Sequence, residues 1–291
     1  MGVKLKNMDN FKNDPEREKK LKEAIEELIS KTAELIIQSK HAVVLTGAGM
    51  STESGIPDFR GPNGIWTKNP DAERKAYESY YKFQENPKEY WIERMTGTSW
   101  LGDLINALPN PGHFALAELE KKAFLKCIVT QNIDNLHQKA GSKRVLDYHG
   151  NVSLLRCFEC DSRFDPKEYE LDRLLAEDRL PPLCRKCSGV LKSDIVHFNE
   201  AIPADVARES QAEVGKCDLM LICGTSAVVH PFAMLPRMAK QYQSKQKTII
   251  VEINADRTPL TEEGISDYLI QGKTGTILPK IVEEVKKKAS F

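Results

Sequence analysis

The sequence lacks an excess of charge of either sign. Its 42 Lys and Arg residues balance 42 Asp and Glu residues, so the formal net charge is zero. A protein whose main affinity is for nucleic-acid phosphate carries a clear positive excess. The chain also lacks long apolar runs: segments such as 219–223 have the length of a strand and are far too short to span a membrane. We therefore expect neither nucleic acid nor a membrane as a direct partner.

Targeting signals are lacking as well. The first twenty residues have no apolar core of the kind found in secretory signal peptides. Gly2 follows Met1, but Lys6 stands where an N-myristoylation motif has Ser or Thr. Cysteine is scarce, and four of the seven cysteines occur in two C-x-x-C pairs, which favours metal binding in a reducing compartment. These features predict a soluble, cytoplasmic protein.

Short apolar runs alternate with helical patterns along most of the chain. A continuous apolar run is typical of a strand that is buried on both faces. Such runs occur at 42–46, 127–131, 144–150, 219–224 and 248–254. Helical patterns that lie between or after them occur at 112–123, 135–141, 231–243 and 275–288. This alternation predicts an α/β fold with a parallel, doubly wound, Rossmann-like sheet, in which ligands bind beyond the carboxyl ends of the strands.

Two stretches interrupt this alternation, and we predict that they form a second, smaller lobe. Residues 64–100 are polar, aromatic and helical in pattern, whereas residues 151–200 carry the paired cysteines and a Pro-Pro break. The Rossmann-like domain then comprises 33–63, 101–150 and 201–291. Residues 1–32 are an N-terminal extension, and apolar residues at helical spacing predict a helix over 15–38 that joins it to the domain.

A glycine-rich loop, GAGMSTESGIPDFRG at 47–61, follows the first predicted strand. Gly47 and Gly49 match the first two glycines of the dinucleotide-binding pattern G-x-G-x-x-G, in which backbone without a side chain approaches a pyrophosphate. Thr52 occupies the position of the third glycine. An acid, an aromatic ring and a guanidinium then crowd the end of the loop: Asp58, Phe59 and Arg60. Taken alone, these three residues are better explained as a turn with a surface salt bridge.

Polar side chains also follow the later strands. They are Gln131, Asn132 and Asp134, then Thr225 and Ser226, then Asn254. These groups can bind ribose hydroxyls, a carboxamide and phosphate oxygens, but the same residue types cap helices in many proteins. His149 ends another predicted strand. A lone histidine is more often structural, yet a neutral imidazole at this edge of the sheet can act as a general base for a hydroxyl.

The paired cysteines are the strongest local signal. Cys157 and Cys160 form one C-x-x-C pair, and Cys184 and Cys187 form the other. Two thiolate pairs predict a closed tetrahedral zinc site, in which the four ligands fill the coordination sphere and the metal is structural. A redox role for C-x-x-C is the alternative, and the presence of two such pairs makes it the weaker one.

The motifs together resemble those of the sirtuin (Sir2-like) family. GAGMSTESGIPDFRG, TQNIDNLHQKAG, YHG, the four cysteines, GTS and EIN occur in the family's order, and the resemblance spans about residues 33–285. It implies a Rossmann-like domain with a smaller zinc-binding and helical lobe. It also implies removal of acyl groups from lysine in a protein or peptide, with NAD⁺ as co-substrate and one structural Zn²⁺.

The resemblance also implies residue roles. NAD⁺ would be bound by Gly47, Ala48, Gly49, Thr52, Asp58, Phe59, Arg60, Gln131, Asn132, Ile133, Asp134, His149, Gly224, Thr225, Ser226 and Asn254. His149 would be the general base, with Asn132 as a second catalytic residue beside the nicotinamide. The acyl oxygen would attack the ribose carbon, nicotinamide would leave, and water would finally release lysine and O-acyl-ADP-ribose. The peptide would lie along Val196, His197, Phe198 and Asn199.

Two departures from the family pattern bear on substrate choice. FNE, with Asn199, replaces the usual FGE, and His197 before it is also unusual. Sirtuins that remove succinyl groups carry Tyr-x-x-Arg in the helical insertion, whereas here Trp91 lies three residues before Arg94 and Tyr90 lies four before it. We expect the Tyr90 hydroxyl to point away from Arg94, which favours simple or apolar acyl groups.

Three other functions compete with deacylation. A mono-ADP-ribosyltransferase would use the same cleavage of NAD⁺ with another acceptor, and a desuccinylase would differ only in acyl preference. A non-catalytic NAD-binding or zinc-ribbon module would lack one of the key side chains. The intact His149 favours deacylation over mono-ADP-ribosyl transfer and over a non-catalytic module, because a general base is needed in the later acyl-transfer steps of deacylation.

Overall fold

The computed structural model describes residues 15–62, 64–97, 104, 106–241 and 247–290. In chain order, the helices are α1 (Pro15–Gln38), α2 (Ile65–Lys68), α3 (Pro70–Glu85), α4 (Pro87–Thr96), α5 (Pro111–Lys121), α6 (Leu136–Lys139), α7 (Leu171–Ala176), α8 (Ala204–Lys216), α9 (Met234–Gln241), α10 (Pro259–Glu262) and α11 (Thr274–Ala289). The strands are β1 (Ala42–Thr46), β2 (Leu125–Thr130), β3 (Val145–Asp147), β4 (Gly150–Cys157), β5 (Arg163–Phe164), β6 (Leu191–Ile195), β7 (Leu219–Cys223), β8 (Ile249–Asn254) and β9 (Tyr268–Gln271).

The larger sheet is parallel and has the strand order β3-β2-β1-β7-β8-β9. This confirms the predicted α/β class and the strands expected from the apolar runs. The edge strand β9 was not predicted, because it has only four residues, of which one is buried, and it ends in the polar Gln271. The chain order reverses beside β1, and the ends of β1, β2 and β7 meet there. A ligand crevice forms at such a switch point in a doubly wound sheet.

Helices cover both faces of this sheet. Side chains alternate between the faces of a strand, so Val44 packs in one core and Val43 in the other. The Val44 face packs against α1, α5 and α11, and the Val43 face against α8 and α9. α1 has the bounds predicted from its apolar spacing, and its residues Ile29 and Ile36 are fully buried.

The second sheet is small and antiparallel, with the order β5-β4-β6. Trp91 of α4 packs against Leu155 and Leu191 of this sheet in a third hydrophobic cluster. This packing brings the helical stretch and the cysteine-bearing stretch together, as a single small lobe requires. The residue boundaries given above for the domains stay a prediction. Across the described part of the chain, every helix is too short or too polar to cross a membrane.

Candidate active site and metal centre

Bare backbone forms the floor of the site. Gly49 donates a hydrogen bond to the carbonyl of Gly224 at 2.8 Å, which joins the loop after β1 to the loop after β7. A β-carbon on Gly224, where φ is 62°, would lie 2.2 Å from the Met50 nitrogen, and one on Gly47 would lie 2.6 Å from Cβ of Thr225. Only glycine fits these positions. The loop therefore offers the close backbone approach that a dinucleotide pyrophosphate needs.

A hydrogen-bonded group of polar side chains lies beside this floor. The amide nitrogen Nδ2 of Asn132 donates to the Gly47 carbonyl and to Oγ of Ser51, each at 3.0 Å. Ser51 in turn donates to Oδ2 of Asp134 at 2.6 Å, and Oδ1 accepts the Leu136 amide at 2.9 Å. Burial raises the pKa of Asp134, and the bonds from Ser51 and Leu136 oppose that shift. Asn132 and Asp134 are thereby held in one orientation.

The helix-cap alternative for Asp134 is partly right, because its carboxylate accepts the amide of Leu136, the first residue of α6. The same carboxylate binds Ser51 across the sheet edge, so one residue serves both purposes. Ser51 was not selected from the sequence. Its position between two glycines of the motif was the available signal, and its role emerges only from the contacts with Asn132 and Asp134.

Gln131, Thr225 and Asn254 meet at the ends of β2, β7 and β8. Nε2 of Gln131 donates to Oγ1 of Thr225 at 2.7 Å, and Nδ2 of Asn254 donates to the Thr225 carbonyl at 3.2 Å. The three side chains come from distant parts of the chain and lie together because parallel strands end at one edge. Their oxygen and nitrogen atoms suit ribose hydroxyls and phosphate oxygens.

The remaining residues of the predicted cofactor set lie on the same rim. Ala48 begins a short 3₁₀ turn, and Oγ1 of Thr52 donates to the Gly49 carbonyl at 3.2 Å. The Ile133 carbonyl accepts the amide of Val152 at 2.8 Å, which ties the end of β2 to β4. Ser226 is exposed.

The loop that follows a second 3₁₀ turn, Thr52–Ser54, folds back on itself. Oδ1 of Asp58 accepts the Gly61 amide at 2.8 Å, so this acid closes a turn. The ring of Phe59 lies 4.8 Å from the ring of Trp66, and the Arg60 guanidinium lies 4.5 Å above the same indole. Arg60 also lies 3.8 Å from Glu73, in an exposed pair that contributes little stability. Trp66, which sequence reasoning passed over, is the buried residue that supports both Phe59 and Arg60.

His149 is partly exposed at the end of β3, and its main chain leads directly into β4. Its ring packs near Tyr148 and Phe232, with centroids 5.6 Å and 6.4 Å away. Burial lowers the pKa of His149 to about 4, and a hydrogen bond with the Gln131 main chain opposes the shift. The imidazole is therefore neutral at pH 7 and can accept a proton.

The loop after β6 runs alongside His149. The Val196 amide donates to the His149 carbonyl at 2.8 Å. The Phe198 ring stacks on Tyr77 at 4.3 Å and lies 5.6 Å from Trp66. Asn199 adopts a left-handed backbone with φ of 68°, a conformation that asparagine tolerates better than most residues. Within the described residues, the main-chain N–H and C=O of Phe198 have no protein partner.

Tyr90 and Trp91, the residues that bear on acyl selectivity, make separate contacts. Trp91 is buried, and its indole N–H donates to the Leu191 carbonyl at 2.7 Å, so it belongs to the small-lobe core. The Tyr90 hydroxyl lies 2.9 Å from Oγ of Ser193 and 3.3 Å from Nε2 of His197. Burial raises the pKa of Tyr90, and the charge of Arg94 opposes that shift. The Tyr90 hydroxyl is thus engaged by Ser193 and His197, and its orientation away from Arg94 stays a prediction.

The four cysteines converge as their spacing predicted. Their sulfur atoms all lie within 4.8 Å of one another, with 3.5 Å between Cys157 and Cys187 and 3.7 Å between Cys160 and Cys184. A tetrahedral zinc with Zn–S bonds of about 2.3 Å requires S–S separations of roughly 3.8 Å. Four convergent thiols of this geometry fit one structural Zn²⁺, held between the C-x-x-C pairs.

Comparisons with known proteins agree with this arrangement. The Sir2 family model matches residues 47–231. NAD-dependent protein deacylase 2 of Pyrobaculum aerophilum is 41% identical over 257 residues, which cover 88% of this chain and 95% of that protein. NAD-dependent protein deacylase 2 of Archaeoglobus fulgidus is 43% identical over 267 residues, which cover 91% of this chain and 99% of that protein.

Solved structures are similar over most of the chain. A Sir2 homolog–NAD complex has a TM-score of 0.70 and 38% identity, covering 89% of this chain and 94% of that one. A Sir2 enzyme with a deacetylated peptide and 3′-O-acetyl ADP-ribose has a TM-score of 0.70 and 33% identity. The match covers 88% of this chain and 98% of that one. Sir2Af2 bound to a myristoylated histone peptide has a TM-score of 0.65 and 38% identity. The match covers 91% of this chain and 99% of that one.

Proposed function

The chain belongs to the Sir2 family and is an NAD-dependent protein deacylase, and from this premise we propose how its residues divide the work. Acyl-lysine peptides are its substrates, as the peptide complexes of its relatives support. The observation that carries the residue assignment is the convergence of Asn132, Asp134 and His149 on one edge of the sheet, next to a loop whose backbone is partly unpaired.

NAD⁺ supplies a sugar carbon that the acyl oxygen can attack and nicotinamide as the leaving group. The first role of the protein is to bind NAD⁺. The bare backbone at Gly47, Gly49 and Gly224 receives the pyrophosphate, while Gln131, Thr225 and Asn254 bind ribose and phosphate oxygens. Asn132 and Asp134, whose orientation Ser51 already holds, would bind the nicotinamide carboxamide. Phe59, supported by Trp66, excludes water from the reacting carbon.

His149 acts as the general base. A general base must be unprotonated at working pH and within reach of the hydroxyl that it deprotonates. Its pKa of about 4 satisfies the first condition, and its place beside Gln131 on the cofactor rim supports the second. His149 would take the proton from a ribose hydroxyl; the hydroxyl oxygen would bond to the acyl carbon, the bond from that carbon to the lysine nitrogen would break, and water would complete the release of lysine and O-acyl-ADP-ribose. Such a base typically contributes ~10²–10⁴-fold to the rate.

The peptide pairs with the loop at 196–199. An extended peptide can add to an exposed main chain through its backbone donors and acceptors. The unpartnered N–H and C=O of Phe198 provide such groups. His197 and the left-handed Asn199 shape this loop differently from the family's usual FGE segment, so we expect sequence preferences of the peptide to depend on these two positions.

The acyl group is apolar, from acetyl to longer chains. The rings of Phe59 and Phe198, both packed against the buried Trp66, form an aromatic wall between the cofactor loop and the peptide loop. Such a wall favours burial of apolar surface. Arg94, four residues after Tyr90 on the same helix, is the feature that favours a carboxylate-bearing acyl group such as succinyl, because a guanidinium can pair with a carboxylate.

One assay tests the assignment and the competing function together. Purified protein is incubated with NAD⁺ and matched acetyl-, longer fatty-acyl- and succinyl-lysine peptides, and the products are identified by mass spectrometry. Lysine peptide together with O-acyl-ADP-ribose is the expected outcome. ADP-ribose attached to a protein, with no loss of acyl groups, would instead support mono-ADP-ribosyl transfer. The cytoplasmic location and the absence of a nucleic-acid partner stay predictions, which fractionation and a binding assay can test.

A further inference from the structure

A cluster of charged side chains lies buried beneath the peptide loop. The side chains of Arg156, Lys192, Asp194 and Glu200 are exposed by only 6%, 0%, 1% and 5%. Burying a charge is costly unless it is paired and hydrogen-bonded. A cluster of this kind calls for an explanation beyond stability, because well-packed apolar residues would serve the core at least as well.

Glu200 connects this cluster to the loop. Its Oε1 accepts a hydrogen bond from Nη2 of Arg156 at 2.6 Å, and its Oε2 lies 3.1 Å from Nζ of Lys192. The same Oε2 accepts the main-chain amide of His197 at 2.9 Å, and the Glu200 amide donates to the His197 carbonyl at 3.1 Å. The carboxylate thus closes the turn at 197–200 and fastens it to two cations.

The cations are themselves anchored on the small sheet. Arg156 lies on β4, and its Nε is 3.0 Å from Oδ1 of Asp194 on β6, an ion pair whose orientation does not make a hydrogen bond. Nζ of Lys192 donates to the carbonyls of Ser193 and Ile195 at 3.0 Å and 2.5 Å. Both cations are thus bound to the sheet as well as to Glu200, so they tie its carboxylate to β4 and β6.

The turn needs such support. Asn199 is a non-glycine residue with positive φ, and a conformation of this type persists only where the surroundings hold it. The Phe198 ring is held from the other side by Tyr77, and Nε2 of His197 lies 3.3 Å from the hydroxyl of Tyr90. Between these contacts, the unpaired main chain of Phe198 is presented in one conformation.

We propose that Glu200, backed by Arg156 and Lys192, holds the turn at 197–200 in the shape that binds the substrate peptide. The inference rests on the proposed assignment of residues 196–199 to peptide binding. All three are positioning residues, since they act through the main chain of the turn and do not touch the peptide. Loss of the carboxylate charge frees the turn, so it weakens peptide binding and leaves the steps at NAD⁺ largely unchanged.

The test separates KM from kcat in steady-state deacylation of one acetyl-lysine peptide at saturating NAD⁺. Glu200→Gln keeps the shape of the side chain and removes its charge. Hydrogen bonds to charged groups are stronger than those between neutral groups, so the peptide KM should rise by about tenfold or more. The kcat and the KM for NAD⁺ should stay within about twofold of wild type. Direct binding of a fluorescent acetyl-lysine peptide should weaken by the same factor as the KM rises.

Lysine variants provide the conservative comparison. Lys192→Arg keeps a cation opposite Glu200 and should leave the peptide KM within about twofold, whereas Lys192→Met should raise it. Glu213→Gln is the matched control for lost stability, because Glu213 is also buried and paired, with His41, Arg144 and Lys216, but lies on α8. It should lower the melting temperature and leave the peptide KM unchanged.

Phe198→Ala distinguishes failure of this inference from failure of its premise. Suppose that the peptide KM rises in Phe198→Ala but stays unchanged in Glu200→Gln and Lys192→Met. This result would overturn the positioning role of Glu200, while the assignment of residues 196–199 to peptide binding would still hold. An unchanged KM in Phe198→Ala as well would remove the peptide assignment itself. A rise in Glu213→Gln equal to that in Glu200→Gln would reduce the effect to general destabilisation and also overturn the inference.

Discussion

The side-chain amide of Asn132 lies 3.0 Å from the hydroxyl of Ser51, although 81 residues separate them in the chain. The Ser51 hydroxyl in turn donates a hydrogen bond to Oδ2 of Asp134 at 2.6 Å. One hydroxyl therefore orients both polar side chains that are proposed to face the nicotinamide. Preorganised hydrogen bonds of this kind favour the transition state because no reorganisation is needed during the reaction.

Replacing Ser51 by Ala should lower kcat by roughly 10–100-fold, since a lost hydrogen bond to a charged group is worth ~1.5–3 kcal/mol. Both Asn132 and Asp134 lose a partner in this variant. Steady-state kinetics at saturating peptide and NAD⁺ measure the effect. Ser54→Ala is the matched control, because Ser54 lies on the next 3₁₀ turn and contacts Asn110; its kcat should stay within about twofold. Equal effects of the two substitutions would contradict the role given to Ser51.

His149→Ala should lower kcat by ~10²–10⁴-fold, the usual range for loss of a general base. NAD⁺ binding, measured by calorimetry, should change by only a few-fold, because backbone and amide groups supply most of that site. His41→Gln serves as control, since His41 precedes β1 and pairs with Glu213. Near-normal turnover of His149→Ala would show that another group accepts the proton.

Cys187→Ser should reduce bound zinc from one ion per chain to much less and lower the melting temperature. Structural zinc contributes directly to folding, and the ligand must be a thiolate. Cys217→Ser removes a buried cysteine outside the cluster and should retain one zinc. Metal content by mass spectrometry and thermal unfolding check both variants. A zinc-free wild-type preparation with an unchanged melting profile would exclude the structural role.

The acyl preference should favour acetyl and longer fatty-acyl groups over succinyl on one peptide. The aromatic wall of Phe59 and Phe198 binds apolar surface. The measurement is kcat/KM for the three acyl-lysine peptides. Because a guanidinium can pair with a carboxylate, the Arg94→Met variant distinguishes an apolar acyl pocket from a carboxylate-binding one. A preference for succinyl in the wild type that disappears in Arg94→Met would establish a carboxylate-binding pocket in place of an apolar one.

Stability should fall as the pH drops below the ordinary histidine range. Burial lowers the pKa of His113 to about 4 and that of His137 well below its usual value. The unfolded chain therefore takes up protons near pH 6.5, before the folded chain does, and each excess proton costs ~1.4 kcal/mol per pH unit. Urea unfolding at pH 7.5, 6 and 5 should show this loss, with little change above pH 7.

His113→Gln isolates that contribution from other acid effects, including protonation of the zinc ligands. It removes one histidine that takes up its proton near pH 6.5 in the unfolded chain and only near pH 4 in the folded chain, so the slope of unfolding free energy against pH should become shallower between about pH 6.5 and 4. A slope identical to that of the wild type would mean that His113 is not held neutral by burial.

Much of the fold was predictable from sequence because its signals are local. The apolar runs of β1, β7 and β8 are buried on both faces, and α1 shows its apolar face within a few turns. The two C-x-x-C pairs also predicted the cysteine cluster, because four thiolates in two such pairs are typical of a single tetrahedral zinc site. Residues at strand ends could be assigned to one edge because parallel strands share a direction.

The contacts that orient the site could not be predicted in this way. Tyr90 and Trp91 are adjacent in sequence, yet the first reaches His197 while the second lies in the small-lobe core. Glu200 binds Arg156 from 44 residues away, and nothing in the FNE segment indicates that pairing. Periodicity and motif spacing describe what a chain does within a few residues. Which side chain meets which depends on how helices and strands far apart in sequence pack, and on the burial that makes each pairing necessary.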